Sequence, residues 1–582
     1  MEYVADFETT RDFFTQKQRV WLAGITPVGE DTRAESRIQF SLQEFLDEVS
    51  KMSESDNKMN VFFHNLKFDG SYLVYYFLDV LKLEWVNKRS NKLQYGEFTT
   101  NVNQMGQVFS ISYNTGYGVV NFRDSLKIFT ASEKTLAESY HLPTLKGEID
   151  YKKRRDVGYI ATKEEIDYII NDLFIISTIL YKFRKENFEK NTIASSALNE
   201  FCKMNFVPKL NNGYVSLRYF RERHPITVEQ DEQIRKAYAG GLCYVNPKYR
   251  GKEVGKGIVL DVNSMYPFVM YNKLMPYGCP IHYEGDPKYN KYYPLFIQRI
   301  KIDYKVPTSV MPIIQNRYRQ IIKEKARTYL LDTKGFDLDI WVTNIELDYI
   351  LEKYEVFHIE YIEGYFFKAK EGGFFREYID RFLTFKNKGK QEGNAFQKNF
   401  GKMYLNSLYG KMGSKIINPV MKPHINDKGL LQYTEIDRTQ NQPLYVPLAV
   451  YITAYGRIKL ANVINQNFDR FCYCDTDSVH LVGEKVPKNL KIDKMKLGAW
   501  DLEFKFDRAK YLNPKKYVEE NADTLLVKCA GLSISKDKNK PDDVYNEVTF
   551  DNFDYNAKYL IKRARMFQGG QDIIDCVYQI HE

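Results

Sequence analysis

Cysteine is scarce and scattered, with seven in 582 residues. None forms a CxxC pair, and Cys472 and Cys474 merely flank Tyr473. That usage excludes a disulfide scaffold and a zinc ribbon, so all seven are read as free thiols of a reducing compartment. No apolar run reaches the ~18 residues that span a membrane. No basic leader or cleavage signal opens the chain, because MEYVADFETT runs straight into a strand with an acidic end. A cytoplasmic protein without a membrane span is expected. Gly/Ser linkers, low-complexity tracts and internal repeats are also missing, which excludes solenoids and beads on a flexible string.

What is present is length, charge and aromatic side chains. A chain of 582 residues exceeds one core, and roughly three to five domains are expected. Net charge is +9, from 84 Lys and Arg against 75 Asp and Glu. A basic balance favours a polyanionic partner. Aromatics at 15% among those cations suit base stacking on single strands, although most of the 45 tyrosines would simply fill sheets and surfaces.

Residues 1–190 alternate short strands with helices. The last helix opens on the capping box Thr162-Lys163-Glu164-Glu165 and runs to about Asn187. GIVLDVN, within 257–267, reads as a strand ending in a polar turn. Residues 273–376 mix short strands, proline and charge. A lysine-rich helical piece covers about 377–412, and a polar connector reaches about 445. Strand-like segments continue to about 550, and the tail is short and mixed.

Carboxylates gather in two sets. Asp6 and Glu8 in ADFET stand at i and i+2 near a strand end, so both reach one face. VFFHNLKFDG is a buried strand, then a polar loop holding Asp69, then an apolar helix. Tyr168 and Asp172 lie one turn apart on the capped helix. Four acids brought together repel unless cations offset them, and oxygen ligands suit Mg²⁺ or Mn²⁺. Two such ions activate a water and stabilise the leaving oxygen of a phosphodiester. Tyr168 would orient that water.

The second set begins with Asp261 in GIVLDVNSMYP. It continues in YCDTDS (473–478), where Asp475 and Asp477 sit between apolar runs. A turn is the ordinary reading of that stretch, and a metal site is the sharper one. On a helix near 395–412, Lys398, Lys402, Asn406 and Tyr409 share one face, opposite Phe396, Phe400, Met403 and Ser407. A row of cations, an amide and an aromatic suits a triphosphate with its base stacked on Tyr409. Asp261 and Asp477 would hold metals, Asp475 would assist, and Lys402 with Lys398 would offset phosphate charge.

DFET, NLKFDG and YxxxD, in that order, resemble the exonuclease motifs of proofreading DNA polymerases. The resemblance implies a ribonuclease-H-like fold and 3′→5′ exonuclease activity, with Asp6, Glu8, Asp69 and Asp172 as metal carboxylates. It also implies a phosphate contact from Lys146 in LPTLKGEIDY. Thr9, His64, Asn65, Phe68, Ser125, Leu126 and Tyr151 would grip the frayed 3′ end. For Phe68 and Leu126 a plain core role competes.

DVNSMYP, KMYLNSLYG and YCDTDS are similar to the family-B polymerase patterns DxxSLYP, KxxxNSxYG and YxDTDS. In that likeness the turn reading and the metal reading of YCDTDS hold together. The likeness adds Val262 to Asp261 and Asp477 as a metal ligand and sets Asn406 beside the nucleotide. It makes Tyr266 the ring that would clash with a ribose 2′-OH. Lys515-Lys516-Tyr517 matches a KxY motif that tracks the primer, and Thr453 to Arg457 a TxxGR motif for template contact. Tyr238-Ala239-Gly240-Gly241 matches YxGG, with alanine removing any basic contact at its second position.

Two extra segments make the layout resemble protein-primed bacteriophage DNA polymerases over nearly the whole chain. The implied fold is α/β, in the broader sense an α+β multidomain protein: a ribonuclease-H-like exonuclease plus a right-hand polymerase. The implied division is exonuclease 1–192, palm 193–272 and 446–547, fingers 377–413 and thumb 548–582. Terminal-protein-region insertions would cover 273–376 and 414–445. Two Mg²⁺ or Mn²⁺ ions per site are implied. The implied partners are primer-template and single-stranded DNA, deoxynucleoside triphosphates, a terminal protein and a single-stranded-DNA-binding protein. A monomer in the cytoplasm of an infected bacterium is expected. The tail after VTFDNF (548–553) looks a little short for a thumb. Three readings compete. A DNA-primed repair polymerase is opposed by the insertions, and a stand-alone exonuclease by the intact polymerase carboxylates. A non-catalytic DNA-binding scaffold would leave both carboxylate sets idle.

Overall fold

Alternation along the amino-terminal segment builds the strand Glu2–Arg11. Tyr3, Ala5 and Phe7 enter one apolar cluster, while Val4 enters another on the opposite face. Asp6 and Glu8 share the face of Val4. In this computed structural model all residues are described except 57, 143–148, 151–152, 187, 189, 207–212, 289, 317–328, 373, 533–547 and 582. The strand lies inside an eight-stranded mixed sheet. Its order is Arg37–Gln39, Gln18–Pro27, Glu2–Arg11, Lys58–Phe63, Val119–Asp124, Val108–Asn114, Glu97–Val102 and Glu84–Trp85. Glu2–Arg11, Lys58–Phe63 and Val119–Asp124 run parallel at its centre. The helix Lys163–Lys185, opened by the Thr162–Glu165 capping box as expected, packs on the two amino-terminal strands.

A second, antiparallel sheet has the order Trp500–Phe506, Gly257–Val262, Ser478–Val482, Phe471–Asp475 and Cys243–Val245. One face rests on the helix Val446–Asn465. Residues 446–465 belong to the stretch expected to be strand-like, and they form a 20-residue helix instead. It is buried nearly all round and rich in Val, Ile and Thr, so it carries no amphipathic period. Beside the sheet, the helices Arg376–Gln391 and Ala395–Met412 pack closely. A Cβ at Gly401 would lie 2.8 Å from the Lys386 backbone, so only glycine permits that approach.

The region expected to hold short strands has longer ones. Leu274–Glu284, Glu355–Glu371, Leu295–Lys305 and Leu338–Thr343 form a four-stranded antiparallel sheet. The expected polar connector is a hairpin, Ile417–Ile425 with Leu431–Gln440, and the short tail is another, Lys558–Phe567 with Gly570–Gln579. These two hairpins meet at their tips. Gln568 donates to the Lys428 carbonyl at 3.0 Å and accepts from the Gln18 N–H at 2.7 Å. Leu431 is buried in the amino-terminal core, with Met421, Ile425, Tyr433 and Met566 against the same cluster. The chain therefore closes on itself through three segments distant in sequence.

Candidate active sites

Three elements bring the amino-terminal carboxylates together. Oxygens of Asp6, Glu8 and Asp172 lie within 4.8 Å of one another. Asp69 stands inside the helix Leu66–Asp79, not in the loop expected for it, because the polar turn ends at Asn65, whose φ of 81° starts the helix early. Burial raises the Asp6 and Asp69 pKa values well above the carboxylate range, and neighbouring acids raise them further. Glu133, which the motifs do not flag, contributes to both shifts from the first turn of the helix Glu133–Ser139. Only a residue-by-residue structure reveals it, since one glutamate after a serine cap is ordinary. An all-oxygen, buried, mutually repelling donor set fits a hard divalent cation. Tyr168, buried on the same helix as Asp172, lines a cavity of about 1420 Å³ with all four carboxylates.

Thr9, Asn65 and Phe68 line that cavity too. His64 also lines it, but its ring nitrogens are engaged by Ser125 Oγ at 3.0 Å and the Ala131 carbonyl at 2.9 Å. Ser125 is fully buried, and its hydroxyl donates to the Phe63 carbonyl at 3.1 Å at the end of the strand Lys58–Phe63. Leu126 is half-buried. Lys146 and Tyr151 lie outside the described residues.

In the second site Asp261 is next to last in the strand Gly257–Val262, and Thr476-Asp477 form a tight turn between two strands. Thr476 takes φ 63° and donates to the Leu242 carbonyl at 2.6 Å. A Cβ on Gly241 would stand 3.0 Å from Thr476, so the YxGG segment buttresses this turn, with Gly240 just before it. Burial and then Asp477 push Asp261 up to about 8. Burial pushes Asp477 up to about 6, opposed by the Lys402 ammonium. Val262 has only its carbonyl to offer, since its N–H donates to the Asp477 carbonyl at 2.9 Å. Asp475 turns elsewhere: Lys515 Nζ donates to both its oxygens at 2.7 Å.

Lys398, Lys402 and Asn406 are exposed on one face of their helix, and Tyr409 is half-buried beside Tyr266 with ring centroids 4.4 Å apart. The sequence reading missed Lys386. Its ammonium donates to Asn263 Oδ1 at 3.0 Å and Ser264 Oγ at 2.7 Å, inside DVNSMYP. Burial, then Lys402 and Lys390, push it down to about 8. Its signal was one lysine among several in a helix, without a motif around it.

Three residues expected to contact DNA are buried. Thr453 is buried and its hydroxyl donates within its own helix, to the Ala449 carbonyl at 3.0 Å. Arg457 is buried, paired with Glu346, and donates to the Ala239 and Gly240 carbonyls at 2.6 and 2.9 Å. Tyr517 has its ring in the core against Tyr473. All three are engaged inside the protein, whereas Lys515 at the hairpin turn stays exposed. Tyr238 packs on Gly413 at the end of the helix Ala395–Met412.

The Arg457–Glu346 pair allows a stability test. Glu346→Ala leaves a buried guanidinium uncompensated and is expected to cost about 3–5 kcal/mol, read as a lower melting transition. Replacing both residues with apolar ones of similar volume should recover most of it. An unchanged transition in Glu346→Ala would show that the pair carries no stability.

The fold is that of a DNA polymerase, as comparison with known proteins shows. The family described as DNA polymerase type B, organellar and viral, matches residues 50–495. The DNA polymerase of Bacillus phage Nf is 34% identical over 604 residues, covering 99% of each chain. The phi29 DNA polymerase ternary complex with primer-template DNA and incoming nucleotide matches at TM-score 0.89 and 32% identity, over 100% of this chain and 99% of the other. The same polymerase complexed with single-stranded DNA matches at TM-score 0.85 and 32% identity over the same shares. The chain belongs to the organellar and viral type B DNA polymerases. Among its described residues, no helix is long and apolar enough to cross a membrane, and all seven cysteines are free.

Proposed function

We propose that the chain replicates a linear viral genome from a terminal-protein primer, proofreads in the 3′→5′ direction and displaces the non-template strand unaided. The observation that carries this reading is two separate, partly buried carboxylate sites in one chain whose hairpin tips close on each other. Division of labour follows the expected boundaries, with residues 1–192 degrading, 193–272 and 446–547 forming the palm, and 377–413 the fingers. Residues 548–582 would be the thumb. Residues 273–376 and 414–445 would serve the terminal protein and the DNA track.

Asp261, Asp477 and the Val262 carbonyl would hold Mg²⁺ or Mn²⁺ at the polymerase site, and Asp6, Glu8, Asp69 and Asp172 would do so at the exonuclease site. When bound, two such ions polarise the phosphate and stabilise the attacking and leaving oxygens. The chain supplies the rest. Lys402 and Lys398 offer exposed positive charge to a triphosphate, and Lys386 holds Asn263 and Ser264 in place beneath it. Tyr266 and Tyr409 present a two-ring wall for sugar and base. Lys515 holds Asp475 at the edge of the site, where a primer phosphate would compete for the ammonium. Tyr168 orients water at the other site. Partners would be primer-template and single-stranded DNA, deoxynucleoside triphosphates, a terminal protein and a single-stranded-DNA-binding protein, met by a monomer in the cytoplasm of an infected bacterium.

Closure of the hairpin Ile417–Ile425 and Leu431–Gln440 on the carboxy-terminal hairpin would encircle DNA. Release would then need opening or an end, so processivity would not require tight binding. Deleting 414–445 is expected to shorten products sharply while single-nucleotide addition survives. Products of unchanged length from the deletion variant would remove the ring.

A further inference from the structure

The turn joining Glu2–Arg11 to Gln18–Pro27 holds two phenylalanines in water, with Phe13 56% and Phe14 79% exposed. The turn is well braced. Asp12 Oδ1 accepts from the Phe14 N–H at 3.1 Å, the Thr15 N–H at 2.7 Å and the Thr15 hydroxyl at 2.8 Å. The Asp12 N–H donates to the Lys17 carbonyl at 2.9 Å. The two rings stand edge to face, 5.5 Å apart. The Arg154 guanidinium lies 4.0 Å from the centroid of Phe13 and 5.5 Å from that of Phe14. Phe13, Arg154 and Lys153 line the same cavity as Asp6, Glu8 and Asp172.

Two rigid aromatic faces beside a cation, at the mouth of a carboxylate cavity, are the elements of a stacking platform for single strands. Neither the motifs nor the carboxylate chemistry uses them. We propose that Phe13 and Phe14 stack the unpaired bases of a single-stranded DNA 3′ segment as its end enters the amino-terminal cavity, with Arg154 on an adjoining phosphate. This rests on the exonuclease reading of that cavity. Phe13 stands five residues after Glu8, at most ~17 Å at strand rise. At 3.4 Å or more per nucleotide that is no more than about five nucleotides from the cleaved end. The platform would favour ends frayed by several bases over ends frayed by one.

The test uses the full chain carrying Asp6→Ala and Asp69→Ala, so that bound strands persist. The probes are single strands of about ten nucleotides and of two or three. The longer one carries, about four positions from its 3′ end, a purine analogue whose emission falls on stacking. Adding Phe13→Ala with Phe14→Ala is expected to weaken binding of the long strand by about tenfold or more and abolish the quench. The short strand should bind as before. Phe13→Leu with Phe14→Leu should behave like the alanines, and Phe13→Trp with Phe14→Trp like the parent. Unchanged affinity and quench in the alanine variant would overturn the proposal, leaving the rings as a seat for Arg154 alone. Equal weakening on both strands would overturn it too, by showing a general collapse of the cavity. Strand shortening by the protein without these changes is read in parallel. Its failure removes the exonuclease reading, while quench and affinity still decide the stacking.

Discussion

Asp261→Ala and Asp477→Ala each end nucleotide addition, by ~10³-fold or more, and leave strand shortening intact. The magnitude follows from the chemistry the two carboxylates support. A metal clamp on a transferring phosphoryl group supplies several kcal/mol of transition-state stabilisation, and about 1.4 kcal/mol is tenfold in rate. Folding should not suffer. Burial, then Asp477, push Asp261 up to about 8, and burial pushes Asp477 up to about 6 against the pull of Lys402, so an apolar residue relieves a cost the fold otherwise bears. Asp475→Ala should fall less, because Lys515 holds that carboxylate and the other two carry the metal-binding charge. Extension by Asp261→Ala within tenfold of the parent would move the site elsewhere.

Asp6→Ala combined with Asp69→Ala abolishes degradation of a single strand and spares primer extension. These two carboxylates come from different elements, a strand and a helix, and each is pushed well above the usual range by burial and by neighbouring acids. Removing both leaves too few oxygen donors for a pair of divalent ions, while the five-stranded sheet that carries Asp261 is built from other strands. The loss in shortening should again be ~10³-fold or more. If extension and shortening fall together, the two sites are not separate.

How much could be read from the residues depended on whether the signal was local. Asp6, Glu8, Asp261 and Asp477 were legible because each carboxylate interrupts or follows a short apolar run. The Thr162 cap was legible because a capping box is a four-residue pattern, and the face of Lys398, Lys402, Asn406 and Tyr409 because helical periodicity fixes it. Signals spread across the fold were not. The helix Val446–Asn465 is buried on all sides and rich in β-branched residues, so its pattern imitates strands. LQYTEIDRTQ alternates apolar and polar residues as a half-exposed strand should, yet its polarity passed for a connector. Arg457 carries the charge expected of a template contact. Only the partner Glu346, 111 residues away, shows that the charge is spent inside the protein. Lys386 and Glu133 act through space on motifs they do not belong to. Asn65 decided whether Asp69 stood in a loop or a helix, through a left-handed backbone that asparagine tolerates.

The measurement that bears most directly on a polymerase with its own proofreading site and its own strand displacement is a single gel. A primed minicircle is incubated with the protein and Mg²⁺, with and without deoxynucleoside triphosphates. Long displaced product with nucleotides, and a shortened primer without them, is the expected result. Shortening under both conditions would contradict the account, leaving Asp261 and Asp477 without activity and the chain an exonuclease.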